Sequence, residues 1–351
     1  MSRFSIGVDL GGTNLRIAAV DSTGSLLEKL TIGSQISRGR DYVLEEMSNA
    51  IKNVASGFQT KYELIGVGIG VPGIIEKRTG RVIKSPNLPD WLNYPVKEEI
   101  ERRLNSMVVL ENDANAAALG EYWLGAARDV DAMCIVTLGT GVGGGMVING
   151  DIWDGMTGMA GEFGHTNVEP EGHPCNCGSR GCVEQIASAT AVVRMAKEAI
   201  ATGKAEGLAN AARGDVEFTA KSVFHLALQG DEAATAIFNK VGWALGIMIS
   251  DLVNIFNFPM YVIGGGVSSS WQAFSPTMFK EIHTRSMVYA ATAPPIAQET
   301  GGAAATPKQS EGRARSTIVA RALLGSDAGL FGAARLPFVR TKEAEPVATS
   351  V

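Results

Sequence analysis

A fourteen-residue strand–glycine turn–strand pattern recurs in this chain, and the recurrence narrows the folds open to it. Residues 7–20, GVDLGGTNLRIAAV, can be laid over residues 135–148, IVTLGTGVGGGMVI. Val8 falls on Val136, Leu10 on Leu138, Gly11 on Gly139 and Val20 on Ile148. In each copy an apolar strand enters a Gly/Thr-rich turn and a second apolar strand leaves it. A repeated strand–turn–strand unit points to two related α/β halves facing a shared cleft. At 351 residues the chain is long enough for both, each with a substantial core.

The rest of the pattern fits such halves. The first thirty residues read as a meander of strands. Apolar spacing predicts a helix over 41–58, a buried strand over 64–71 and a helix over roughly 95–104. MVVLE (107–111) reads as a strand feeding the helix DANAAALGEYWLG. Residues 231–257 carry the clearest helical stripe, closed by Pro259. MYVIGGGVS (260–268) is a strand running into a third Gly turn. Residues 297–316 lack apolar periodicity and read as a mobile surface loop, and the tail after Arg340 reads as disordered.

Three glycine turns, each directly after an apolar strand, suggest nucleotide binding. Backbone N–H groups at glycine can approach phosphate oxygens closely. The residues concerned are Gly11, Gly12, Thr13 and Asn14; Thr140 and Gly141; and Gly265 and Gly266. Thr13 and Asn14 add side-chain donors. Asp9, at the end of the first strand, is placed to orient Mg2+ or its waters. The bland alternative is that each turn is a tight hairpin. Neither a Walker loop nor a Rossmann fingerprint is present.

A second dense feature is GEFGHTNVEPEGHPCNCGSRGCVE (161–184). Cys175, Cys177 and Cys182 with one imidazole suit tetrahedral zinc. His165 is favoured over His173, whose place two residues from Cys175 makes joint chelation awkward. Glu162 and Glu184 are acceptors that the zinc would not need, and they suit a polyhydroxylated ligand. A disulfide is the rival reading. It is disfavoured because MSRFSIGVDL does not look like a secretion signal, so the expected compartment is the reducing cytoplasm. Cys134, in AMCIVTL, reads as a buried small residue.

A net charge of −5 and a pI of about 5.5 give no basic surface for nucleic acid. No apolar run reaches the ~18 residues of a membrane span. Glu111-Asn112-Asp113 ends a strand and opens a helix. Asp113 there could be a helix N-cap or a general base for a hydroxyl, and the motif by itself does not choose.

Together DLGGTN (9–14), VPG (71–73), END (111–113), GTGVGGG (139–145), GEFGH (161–165), CNCGSRGCVE (175–184) and GGGV (264–267) resemble the ROK family of sugar kinases and repressors. The resemblance covers residue 4 to about 337, with GLFGAARL (329–336) similar to the family's closing helix and 297–316 looking like an insertion. It implies a two-domain α/β fold of the actin/hexokinase type with an interdomain cleft. Residues 1–118 would form the small domain, to which the closing helix near 327–337 returns. Residues 119–326 would form the large domain with the zinc loop 161–184, and 338–351 the tail. The resemblance makes His165, Cys175, Cys177 and Cys182 structural zinc ligands. It gives sugar hydroxyls to Asn112, Asp113, Glu162, His165 and Glu184, and the base role to Asp113. Asn87, in SPNLPDW, either lines the sugar pocket or is a structural loop residue. The implied activity is ATP-dependent phosphorylation of glucose at its 6-hydroxyl, with Mg2+ near Asp9, in a homodimer. Other hexose kinases of the family are close rivals. A sugar-responsive regulator would need a helix-turn-helix before the first strand, and an actin-like ATPase would have no use for the Cys3His loop.

Overall fold

The strand β1 (Ser2–Leu10) turns back at a glycine pair into β2 (Asn14–Asp21), and β3 (Leu26–Gly33) completes an antiparallel meander. The chain then runs through α1 (Arg40–Ser56), β4 (Tyr62–Val71), the hairpin β5 (Ile74–Glu76) and β6 (Arg81–Lys84), α2 (Val96–Leu104) and β7 (Val108–Asn112). α3 (Asp113–Trp123) follows without a linker. Next come β8 (Ala132–Leu138), β9 (Val142–Ile148), β10 (Asp151–Ile152), α4 (Glu184–Ala187), α5 (Ala189–Ala201), α6 (Glu206–Gly214), α7 (Ala220–Leu228) and α8 (Glu232–Phe256). β11 (Met260–Gly264), α9 (Trp271–Arg285), α10 (Met287–Thr292), β12 (Ile318–Arg321) and α11 (Ala328–Ala344) complete the order. The computed structural model describes residues 2–85, 87–214, 217–294 and 316–344. Apart from Ser316, the stretch 297–316 therefore lies outside the described residues. The helix at the C-terminal end reaches Ala344, four residues past Arg340, where the sequence suggested a disordered tail.

The chain forms two compact units. One comprises Met1–Arg128, Gly145–Gly161 and Ser326–Val351, the other Asp129–Gly144 and Glu162–Gly325. The first unit holds a sheet in the order β3-β2-β1-β4-β7, with β4 parallel to both β1 and β7. Its register sets Asp9, Gly70 and Glu111 side by side at the carboxyl ends of three parallel strands. In open α/β sheets that edge is where ligands bind. One face carries a core of Phe4, Ile6, Val8, Leu44, Met47 and Ile69, all essentially buried. On the other face α3 and α11 cross at glycines. A Cβ at Gly332 would stand 1.6 Å from the Ala116 carbonyl oxygen, so only glycine allows this approach.

In the second unit β11 lies between β8 and β12, parallel to both, and β9 starts beside β8. The helix α8 begins at Asp231, whose carboxylate accepts from the Ala234 N–H at 2.8 Å, and ends at Asn257 in the left-handed region. It is long and apolar enough to cross a membrane, but 67% of its most apolar window is buried inside the protein, as in a core helix.

Candidate active site

The first glycine turn is built by the β1–β2 hairpin. The Gly11 N–H donates to the Asn14 carbonyl at 2.9 Å. Ser34 braces the turn from β3, with its hydroxyl on the Gly12 carbonyl (2.9 Å) and its N–H on the Thr13 carbonyl (3.0 Å). Gly12, Thr13 and Asn14 are exposed, and nothing lies within 4 Å of where a Gly12 Cβ would be. The space above this turn is open to a ligand. Asp9 stands beside it with its side chain 20% exposed and Arg16 at 3.5 Å. Burial pushes its pKa up to about 6; Arg16 opposes the shift, while Asp113 and Asp327 add to it. A desolvated carboxylate among other carboxylates fits a divalent cation, which favours its ionised form. Gly329, in the first turn of α11, keeps that space clear: a Cβ there would stand 3.6 Å from the Asp9 carboxyl group.

Asn112 and Asp113 lie at the same sheet edge. The sequence left Asp113 between cap and base, and the structure gives the cap to Asn112. The Asn112 Oδ1 accepts from the N–H groups of Ala114 (2.9 Å) and Asn115 (3.2 Å), and its Nδ2 donates to the Gly73 carbonyl at 3.0 Å. Asp113 is the first residue of α3, with Oδ1 accepting from the Ala114 N–H at 2.9 Å. Glu111, the residue before them, is buried and ion-paired with Lys77. Asn87 occupies an exposed bend before the turn Pro89–Trp91.

The second unit carries the other two glycine turns and the cysteine loop. The Gly139 N–H donates to the Gly141 carbonyl at 2.9 Å. Glu184 clasps this turn, its Oε2 accepting from the Val142 N–H at 3.0 Å. The start of α5 is tied to it as well, by the Ala189 N–H on Gly139 O (2.8 Å) and the Thr190 hydroxyl on Thr140 O (2.8 Å). The third turn is not a hairpin. β11 passes through Gly265 into a 3-10 turn at Gly266–Ser270 and then α9. Gly265 has φ +81°, and a Cβ there would lie 2.4 Å from the Leu138 carbonyl oxygen, so its role is to let β11 pass β8. Gly266 has nothing within 4 Å and is the open position.

His165, Cys175, Cys177 and Cys182 converge, with all four ligand atoms within 4.8 Å of one another. Cys177 Sγ lies 3.7 Å from Cys182 Sγ, and Cys175 Sγ 3.6 Å from His165 Nδ1. A zinc tetrahedron with Zn–S bonds of about 2.3 Å has S···S edges of about 3.8 Å, close to these two separations, so the donor set is compatible with zinc. His173 is turned away, with Nδ1 2.9 Å from the Pro174 carbonyl. The opposite nitrogen of His165, Nε2, lies 3.8 Å from Glu162 Oε2. Nδ1 can therefore face a metal while Nε2 and Glu162 face a ligand. Cys134 is buried in β8, with its thiol pKa raised by burial, as expected of a packing residue.

Three features escaped the sequence reading. One is Arg16 beside Asp9; its position opposite Asp9 in the hairpin register was a usable signal. Another is Lys77, in an irregular loop that gave none. The third is a cavity of about 710 Å³ between α5 and α7, bordered by Ala189, Thr190, Val193, Lys197 and Phe218. α7 also packs against the turn Gly266–Ser270.

With this geometry in view, the likeness to known proteins is specific. The glucokinase of Halalkalibacterium halodurans is 38% identical over 332 residues, spanning 94% of this chain and 93% of that one. The xylose repressor of Caldicellulosiruptor bescii is 32% identical over 284 residues, 81% of this chain and 71% of its own. Among solved structures, a ROK family glucokinase from Streptomyces griseus in complex with glucose and AMPPNP superposes with a TM-score of 0.71 at 35% identity, covering 95% of this chain and 98% of that one. This chain thus has an α/β fold of the actin/hexokinase type. The ROK family profile matches residues 5–337, nearly the whole sequence, and the chain belongs to the ROK family.

Proposed function

We propose that the protein is an ATP-dependent hexose kinase acting on the 6-hydroxyl of glucose. One observation carries the reading beyond the likeness to glucokinases. Asp113 sits at the carboxyl edge of the sheet that also presents Asp9 and the open turn 11–14, while Asn112 takes over the capping of α3. In this reading the Asp113 carboxylate, whose Oδ1 also accepts from the Ala114 N–H, takes the proton of the attacking hydroxyl as the oxygen bonds to the γ-phosphorus and ADP departs. Asn112, Glu162, His165 and Glu184 bind the sugar hydroxyls. Glu162 and Glu184 accept, and His165 Nε2 donates. The turns 11–14 and 139–141, with Gly266, bind the phosphate chain through backbone N–H groups. The purine occupies the cavity beside Thr190, Val193 and Phe218, where Thr190 is hydrogen-bonded to the turn 139–141. Mg2+ held near Asp9 supplies charge neutralisation at the phosphates. Zinc on His165, Cys175, Cys177 and Cys182 is structural, because four protein ligands leave no position for substrate.

The likeness to a xylose repressor favours a second reading, a sugar-binding regulator without turnover. Phosphorylation of a hexose by the wild-type protein separates the two, and Asp113→Asn then tests the base. The kinase reading expects turnover to fall about 10²–10⁴-fold with sugar binding retained in calorimetry. A variant that keeps the wild-type rate would remove Asp113 as the base.

A further inference from the structure

We propose that Lys77 is a positioning residue for the transfer site, locking Glu111, and through it the Asn112–Asp113 turn, to the segment that carries Asp154. The proposal rests on the kinase reading above. Lys77 lies in the loop between β5 and β6, and its ammonium group is ion-paired with both Glu111 Oε2 and Asp154 Oδ1. The three side chains are 18%, 4% and 29% exposed, so Glu111 is the deeply buried member. Its other oxygen, Oε1, accepts from the Asn112 N–H at 2.8 Å and from Asn115 Nδ2 at 3.1 Å. Asn112 in turn caps α3 and donates to the Gly73 carbonyl, four residues ahead of Lys77. These contacts close a ring from Gly73 through Asn112 and Glu111 to Lys77 and back along β5.

The chemistry of the ring depends on the cation. Glu111 is desolvated, and burial alone would favour its neutral acid, with Lys77 the chief opposing influence. Without Lys77, Glu111 and Asp154 would lose their shared cation, and the neutral form of Glu111 would be favoured further. A neutral carboxyl group accepts more weakly from the Asn112 N–H than an ionised one. The residue next to Asn112 would then lose its fixed placement. The triad borders a cavity of about 490 Å³ that Arg78, Lys97 and Arg340 also line, so it stands at the edge of the packed core rather than inside it. Removal of the lysine side chain leaves Glu111 without its cation and should cost stability, so a melting measurement accompanies the kinetics.

The test combines steady-state kinetics with amide hydrogen exchange on the full chain for Lys77→Met, Glu111→Gln and the double variant. Lys77→Met should lower kcat roughly ten- to hundredfold, the scale of a misplaced reacting group. It should leave KM for ATP unchanged and speed exchange at Asn112. The double variant should regain much of the rate, because a neutral amide needs no counter-charge, so the two changes should be strongly non-additive. A purely structural lysine would lower the melting temperature with wild-type kcat and wild-type exchange at Asn112. That result, or additive losses, would overturn the proposal. Should Lys77→Met fail to fold, Asp154→Asn should show a smaller fall in kcat in the same direction, and an unchanged kcat would overturn the proposal. If the wild-type protein phosphorylates no hexose, the kinase reading fails by itself, and exchange at Asn112 in Lys77→Met still decides the role of Lys77.

Discussion

Asp9 is held in the fold at a cost to stability. Its folded pKa of about 6 lies above the ordinary carboxylate value of 3.8. An acid with a raised folded pKa destabilises the fold when ionised. That penalty is fully present above about pH 6 and vanishes below the unfolded value. Asp9→Asn should therefore stabilise the ligand-free and metal-free protein at pH 7 by up to about 3 kcal/mol, less whatever Arg16 loses with its partner. The gain should shrink towards zero as the pH falls to 4, while turnover with ATP should be lost. Urea unfolding at the two pH values reads the first effect, and a less stable variant at pH 7 would contradict it. At this scale the sequence was partly legible. The residue types at Asp9, Asn112 and Asp113 were plain from strand ends and motif. Which of Asn112 and Asp113 caps α3 was not, because both can accept from the same helix N–H groups and only geometry decides. Lys77 was invisible, since its partners are 34 and 77 residues away and its loop has no periodicity.

Among elements, the loop 161–184 has little regular secondary structure of its own. Turns hold it, such as the Cys175 N–H on the Ser179 carbonyl and the Gly181 N–H on the His173 carbonyl. A metal held by His165 and the three cysteines would supply folding energy that packing does not. The purified protein should carry about one zinc per chain, and Cys177→Ser should lose it and melt earlier. Elemental analysis without zinc, or a disulfide found in its place, would contradict the assignment. The same loop supplies Glu162 and Glu184, so sugar affinity should fall with the metal. The cavity between α5 and α7 makes a separate prediction. Phe218→Ala should raise KM for ATP by about five- to a hundredfold, in line with the roughly 1–3 kcal/mol of a lost apolar contact, and leave KM for glucose unchanged. Equal changes in both constants would place the base elsewhere. The cysteine pattern was readable because ligand type and spacing are local. The cavity was not, because its walls come from two helices whose sequences only look amphipathic.

At the scale of the molecule, the duplicated glycine turn was the feature that carried furthest. Its two copies became the β1–β2 turn and the β8–β9 turn, one to each sheet, and both sheets gained parallel strands beside them. Local periodicity could not show that 145–161 and the C-terminal helix pack into the first unit. That is decided by close backbone approaches, such as Gly120 and Gly332 between α3 and α11, where any larger residue would collide. The central claim is the reaction, and a hexose panel tests it most directly. Steady-state kcat/KM should be measured with ATP and Mg2+ for glucose, fructose, mannose and N-acetylmannosamine, with the product identified. A sugar that offers no hydroxyl to Glu162 or Glu184 loses a hydrogen bond to a charged group, at a cost of roughly 1.5–3 kcal/mol. Glucose should therefore lead by about tenfold to a few hundredfold, and the product should be glucose 6-phosphate. A faster rate with another hexose would contradict the glucose assignment, and sugar binding without phosphorylation of any hexose would contradict the kinase itself.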